Sequence, residues 1–222
     1  MEIVAEKKLW IDTRLNEEEM NFLNGVIAAS SEGQKSEDWK ENAAGNVSRC
    51  DLIDKDNWFF ETTLKKLTER MFYRDWDNFS KYHIEVEEGV SLPEFEMNKF
   101  WVNYQKQHDH VPIHNHTGLY SFVIFINIPT HWEDQHKVSK SSTDTAFTLS
   151  HASDFVFVLS QKDSENAIAF NFPLSPEDEG RMLFFPATLQ HMVYPFYECE
   201  EDRVTISGNI VMYDPNRSKY PT

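Results

Sequence analysis

The sequence predicts a mainly β domain, a jelly roll or sandwich carried by N-terminal helices on one outer face. Two observations predict it. Apolar residues recur at helical spacing in the first part of the chain, and from about Met97 onward the period changes from 3.6 to 2. Short runs rich in β-branched and aromatic residues then follow one another to the C-terminal end. A length of 222 residues fits one domain, with residues 1–92 as helical support and residues 93–215 as the jelly-roll core.

In chain order, Asn16 caps a helix whose third residue is Glu19, and Met20, Leu23 and Ile27 recur along one of its faces until it ends near Ser30. Residues 31–46 are mostly polar, with Gly33 and Gly45 as breakers, and form a loop. A second helix starts near Asp56 and carries the stripe Phe60, Leu64, Leu67 and Met71, the mark of a helix lying on a sheet. Strands are expected at residues 97–105, 119–128, 154–160, 166–172, 181–185 and 203–212. The polar segment from His136 to Ser150 reads either as a surface loop or as a lid.

Composition excludes several functions. The chain has 21 Lys and Arg against 37 Asp and Glu, a net charge of −16, which phosphate backbones and anionic lipids repel. Neither nucleic acid nor membrane is an expected partner. The N-terminal residues lack the apolar stretch of a secretion signal, and the run Phe122–Ile126 is far short of the roughly 20 residues that cross a bilayer, so a cytoplasmic location is expected. Cys50 and Cys199 stand alone and offer no CxxC pair. None of the 7 glycines forms a G-x-G, which removes the common nucleotide-binding loops.

Four of the 9 histidines crowd into the stretch His108, His110, His114 and His116. On extended chain, residues i and i+2 point to the same side, so His114 and His116 can offer two imidazoles to one ion. Pro112 favours that extension by biasing Val111 away from helix. A third ligand must come from elsewhere, and His191, between the runs Met182–Pro186 and Met192–Tyr194, is the best placed. Imidazole suits Fe, Zn, Cu and Ni alike, so these residues alone name no metal.

Twelve positions after His191, Arg203 opens a segment in which Arg203, Thr205, Ser207 and Asn209 share one face and Val204, Ile206 and Ile210 the other. The polar face should line a cavity. Arginine there needs an anion, either a dicarboxylate ligand, with Thr205 adding a hydroxyl, or an internal Asp or Glu.

The series Trp101-x-Asn103, His114-x-His116, Ser121–Phe125, Phe185-Pro186, His191 and Arg203-x-Thr205 resembles the 2-oxoglutarate- and Fe(II)-dependent dioxygenases. The resemblance is especially to the prolyl-hydroxylase-like members and to small oxygenases of phages and marine bacteria. The resemblance implies a double-stranded β-helix of cupin-like architecture. It further implies Fe(II) held by His114, His116 and His191, and 2-oxoglutarate held by Arg203 and Thr205, with Tyr104 as a further contact. A hydroxylase of this kind inserts oxygen from dioxygen into an unactivated C–H bond of a peptide or small molecule, releasing succinate and CO2. No protein acid or base is required, so no catalytic residue is assigned. If the chain is phage-encoded, its compartment is the host cytoplasm.

One departure stands out: His116 occupies the place where the resemblance leads one to expect Asp or Glu. Either His116 ligates, or a carboxylate such as Asp109 substitutes, or water fills the place. His131-Trp132-Glu133 follows a core strand instead of opening one and ranks below His114-x-His116. Two further readings stay open: a cupin-like metalloenzyme that does not use 2-oxoglutarate, and a non-catalytic β-sandwich binding module. Arg203 discriminates the first from the oxygenase, and metal uptake discriminates the second.

Overall fold

The structure, a computed structural model, describes residues 2–6, 9–33, 47–80, 93–138, 150–160 and 167–213. Its elements in chain order are β1 (Glu2–Glu6), β2 (Ile11–Arg14), α1 (Glu17–Gly33), β3 (Ser48–Asp51), α2 (Lys65–Ser80), β4 (Phe95–Gln105) and β5 (Val111–His114). They continue with β6 (Tyr120–Asn127), α3 (Trp132–Gln135), β7 (Phe155–Ser160), β8 (Ala167–Phe172), β9 (Arg181–Pro186), β10 (Gln190–Val193) and β11 (Arg203–Met212). The six strands expected from periodicity are present within two residues at each end. Most of the loop expected over residues 31–46, and residues 139–149 of the loop or lid, lie outside the described residues.

All strand pairs are antiparallel and build two sheets, a larger one ordered β1-β2-β9-β6-β11-β4-β3 and a smaller one ordered β5-β10-β7-β8. Strict alternation gives the large sheet two different faces. Phe100, Val102, Phe122, Ile124, Phe184, Ile206 and Ile210 form one core with Leu23, Phe59, Leu64, Leu67 and Met71 of the helical region. On the opposite face Val123, Phe125, Leu183 and Phe185 join Phe155, Phe157 and Leu189 in a second core. The second core and the cavity beside it lie on the face of the large sheet turned toward β7 and β10.

The expected cap of α1 is formed: the Asn16 amide donates to Glu19 Oε2 at 2.8 Å and the Glu19 amide to Asn16 Oδ1 at 2.9 Å. The start of the second helical stretch differs from expectation. Asp56 sits at φ 58, outside helical space, and Asp54 is the cap, accepting the Phe59 and Phe60 amides at 2.9 Å each. A π-helical turn at Phe60–Leu64 follows before α2. The apolar stripe is buried as its spacing requires, with Phe60, Leu64, Leu67 and Met71 all within the first core.

Gly208 explains how β11 fits beside β6. A Cβ at this position would lie 2.5 Å from Phe122 Cζ and 2.8 Å from the Lys99 carbonyl, so only glycine lets the ring settle on the strand. This leaves Phe122 in the first core and keeps the polar residues of β11 turned the other way.

Candidate active site

The short β5 and β10 pair with His114 registered opposite His191, so two imidazoles project from adjacent strands at the same level. His116 lies just beyond β5, its amide donating to the Ala187 carbonyl at 2.8 Å. The ring centroids of His114 and His191 are 4.2 Å apart, and His116 is 5.0 Å from each. Their nearest ligand atoms all fall within 4.8 Å of one another, a spacing that suits one metal ion.

Tautomers are set by the backbone. His114 Nδ1 lies 2.8 Å from the Pro112 carbonyl and His191 Nδ1 lies 2.9 Å from the Leu189 carbonyl. A carbonyl can only accept, so both Nδ1 atoms carry the proton and both Nε2 lone pairs stay free, the arrangement a metal-ligating histidine needs. Burial pushes His191 down to about 3, with His114 nearby adding to the shift. Burial likewise takes His116 down to about 4, helped by the charges of His114, Arg49 and Lys99. His114 is lowered for the same first reason. At neutral pH the cluster is therefore uncharged and presents lone pairs.

The histidines line a cavity of about 350 Å³ together with Arg203, Thr205, Ser207 and Asn209. The polar face of β11 thus lines a cavity, and Val204, Ile206 and Ile210 pack against the helical side. Arg203 is 1 % exposed, and among the described residues it makes no ion pair. Its Nη1 donates to Gln105 Oε1 at 3.4 Å and to the Tyr194 carbonyl at 3.5 Å, its Nη2 donates to Ser153 Oγ, and Phe196 lies 4.9 Å beneath it. Nε has no partner.

Asp154 lies near enough to act on Arg203 electrostatically, but its carboxylate is taken by His136 at 2.9 Å and His151 at 3.2 Å. Burial pulls the Arg203 guanidinium down to about 9. A buried cation with a free Nε–H and no carboxylate in hydrogen-bond contact is a site suited to an anion. Asn103 amide protons reach Thr205 Oγ1 at 3.3 Å and Ser207 Oγ at 3.4 Å, so the Thr205 hydroxyl accepts there and keeps its own proton to donate into the cavity.

Tyr104 is a correction. Alternation along β4 turns Trp101, Asn103 and Gln105 into the cavity and sends Phe100, Val102 and Tyr104 to the other face, where Tyr104 packs against the helix-side core. Asp109 does not join the histidines either: its carboxylate accepts the Lys106 amide at 2.9 Å and closes the turn before β5. His131 of the His131-Trp132-Glu133 triplet sits on the exposed surface, 3.7 Å from Glu177. Gln105 and Ser153, both in contact with Arg203, were not anticipated. Gln105 was detectable by its parity with Asn103, whereas Ser153, a buried residue held at φ 74, gave no sequence signal.

The family described as "Putative 2OG-Fe(II) oxygenase" matches residues 99–209, and the chain belongs to it. The protein is a 2-oxoglutarate-dependent oxygenase whose metal is Fe(II) and whose cosubstrate is 2-oxoglutarate. Solved structures share the double-stranded β-helix fold. A Pseudomonas putida prolyl-4-hydroxylase is 10% identical with TM-score 0.52, covering 92% of this chain and 93% of its own. The carbocyclase SnoK from nogalamycin biosynthesis is 9% identical with TM-score 0.56, covering 91% and 79%. A Trichoplax adhaerens prolyl hydroxylase, solved with a hypoxia inducible factor peptide fragment, is 12% identical with TM-score 0.51, covering 94% and 84%. No curated protein matches the sequence. Among the described residues no helix is long and apolar enough to cross a membrane.

Proposed function

We propose that His114, His116 and His191 are the Fe(II) ligands, that Arg203 and Thr205 bind the far carboxylate of 2-oxoglutarate, and that the enzyme hydroxylates an unactivated C–H bond of a peptide or small molecule. The observation that carries this reading is the convergence of three neutral imidazoles on a cavity whose wall also presents a buried guanidinium lacking a counter-ion. The fit to the metal is good: two of the three rings have their tautomer fixed with Nε2 free, and no proton competes near pH 7. His116 serves in place of a carboxylate, so the protein contributes no negative charge and the keto acid supplies it.

When bound, Fe(II) supplies dioxygen activation, in which oxidative decarboxylation of 2-oxoglutarate to succinate and CO2 accompanies transfer of one oxygen atom to the substrate. The chain's own residues supply position and exclusion of water. Arg203 Nε and the Thr205 hydroxyl give the cosubstrate a fixed anchor, and Phe125, Phe155 and Val193 provide apolar walls around it. Aromatic rings also pack the histidines, with Phe155 5.7 Å and Phe185 5.1 Å from the His191 ring.

Replacing Arg203 by Ala is expected to raise the 2-oxoglutarate concentration needed for half-maximal succinate release by about 100-fold, the loss of one or two charge-assisted hydrogen bonds. Iron content per chain should stay near that of the parent. An unchanged 2-oxoglutarate requirement would defeat the assignment.

A further inference from the structure

We propose that the cavity holds a second anion-binding station, formed by Arg49 and Lys99 beside the Trp101 ring, which receives the carboxylate of a small acidic primary substrate. The proposal rests on the reading of the histidines and Arg203 given above and names the substrate class for that site. Peptide hydroxylation and small-molecule hydroxylation are thereby separated in favour of the second.

Charge is the first argument. A chain with a net charge of −16 lines this cavity with Arg49, Lys99 and Arg203 and, among the described residues, with no Asp or Glu. In so acidic a protein, a wall holding only cations selects for anions. One cation serves the cosubstrate, which leaves two.

Position is the second. Arg203 is registered opposite Gln105 on β4, and Lys99 lies six residues further along the same strand, about 20 Å at the rise of an antiparallel strand. A five-carbon diacid anchored at Arg203 cannot also reach Lys99. Arg49 enters from the edge strand β3, where it pairs with Asn103, and its guanidinium lies 3.9 Å over the Trp101 ring. That ring meets the His116 ring at 5.7 Å, so the Arg49 guanidinium is within about 10 Å of the histidine cluster. A small acid held there by its carboxylate can place a C–H bond beside the histidines, whereas an internal peptide residue has no backbone carboxylate to offer.

The Arg49 side is also organised in advance. Trp101 is fixed by its Nε1–H donating to Asn103 Oδ1 at 3.0 Å, and Arg49 stacked on it is spared much of the ordering cost of binding. Its side chain is only 20% exposed, and its ion-pair partner Asp51 is 3.5 Å away and 70% exposed, a weak contact that an incoming carboxylate can replace. The planar guanidinium fork then gives two parallel hydrogen bonds.

The test loads the protein anaerobically with Fe(II) and 2-oxoglutarate and titrates in a panel of short carboxylic and α-amino acids, each beside its primary amide. Tryptophan fluorescence and the visible absorption of the iron-bound keto acid report binding. At least one acid should bind about tenfold or more tightly than its amide. The preference should vanish in R49Q and shrink in K99Q, with the keto acid band of both variants intact, which also certifies their fold. Equal binding of acids and amides throughout, or an acid preference that survives the double variant, overturns the station alone. Loss of the band in R49Q would reassign Arg49 to the cosubstrate and overturn it too. A parent protein with no band sinks both readings.

Discussion

The two arginines of the cavity show how one side chain is put to different uses by its surroundings. Arg203 begins a central strand, is 1 % exposed and is gripped by Ser153, Gln105 and the Tyr194 carbonyl. Arg49 sits on the edge strand β3, stacked on Trp101 and partly open to water beside Asp51. In the proposed reading the first is a deep, permanent anchor for a ligand that every turnover consumes. The second is a shallower contact that the surface can reach, suited to a substrate that must enter and leave. Burial, more than charge, separates the two roles, because desolvation sets how strongly each guanidinium requires an anion.

Charge reversal breaks the comparison most severely. R203E places a buried carboxylate near Asp154 with no cation to meet it, and denaturant unfolding of the metal-free protein is expected to show a loss of about 3–5 kcal/mol. R49E should cost about 1 kcal/mol or less, because its site is partly solvated. Equal losses would mean that the two ends of the cavity do not differ in burial as described.

A pH-dependent effect, absent at neutral pH, concerns the histidines between the two arginines. His116 and His191 have folded-state values of about 4 and about 3, below the unfolded value of 6.5. Above pH 6.5 both states hold neutral rings and nothing is gained or lost. Below it the unfolded chain takes up protons that the fold refuses, so stability falls as pH falls, by up to about 1.4 kcal/mol per pH unit for each ring. Acid unfolding of the metal-free protein should therefore diverge from that of an H116Q/H191Q variant between pH 6.5 and 4, the parent being the more acid-sensitive. Parallel curves would show that these rings are not held neutral by burial.

Much of this arrangement was legible in the chain itself. The two-residue period of Arg203 to Ile210 separates cavity from core because a strand in a sandwich has no third option. The Asn16–Glu19 cap and the stripe from Phe60 to Met71 follow from local chemistry and were readable for the same reason. Tyr104 lies outside the cavity because its parity on β4 is opposite to that of Trp101 and Asn103, a constraint that its spacing from His114 does not reveal. Asp54 was overlooked because it caps Phe59 and Phe60 from five and six residues away, across an irregular turn. Arg49 could not have been found from pattern. The strand Ser48–Asp51 has no apolar alternation and exists through its pairing with β4, a tertiary fact. Ser153 is similar, since its contact with Arg203 spans 50 residues of chain.

The central claim is that three imidazoles and one guanidinium act on a single metal-bound keto acid. It is tested most directly by adding Fe(II) and then 2-oxoglutarate to the protein under anaerobic conditions and recording the visible spectrum. The account predicts a charge-transfer band in the parent that is absent in H191A and, at matched 2-oxoglutarate, strongly reduced in R203A. A parent without the band, or an H191A variant that retains it, would contradict the account.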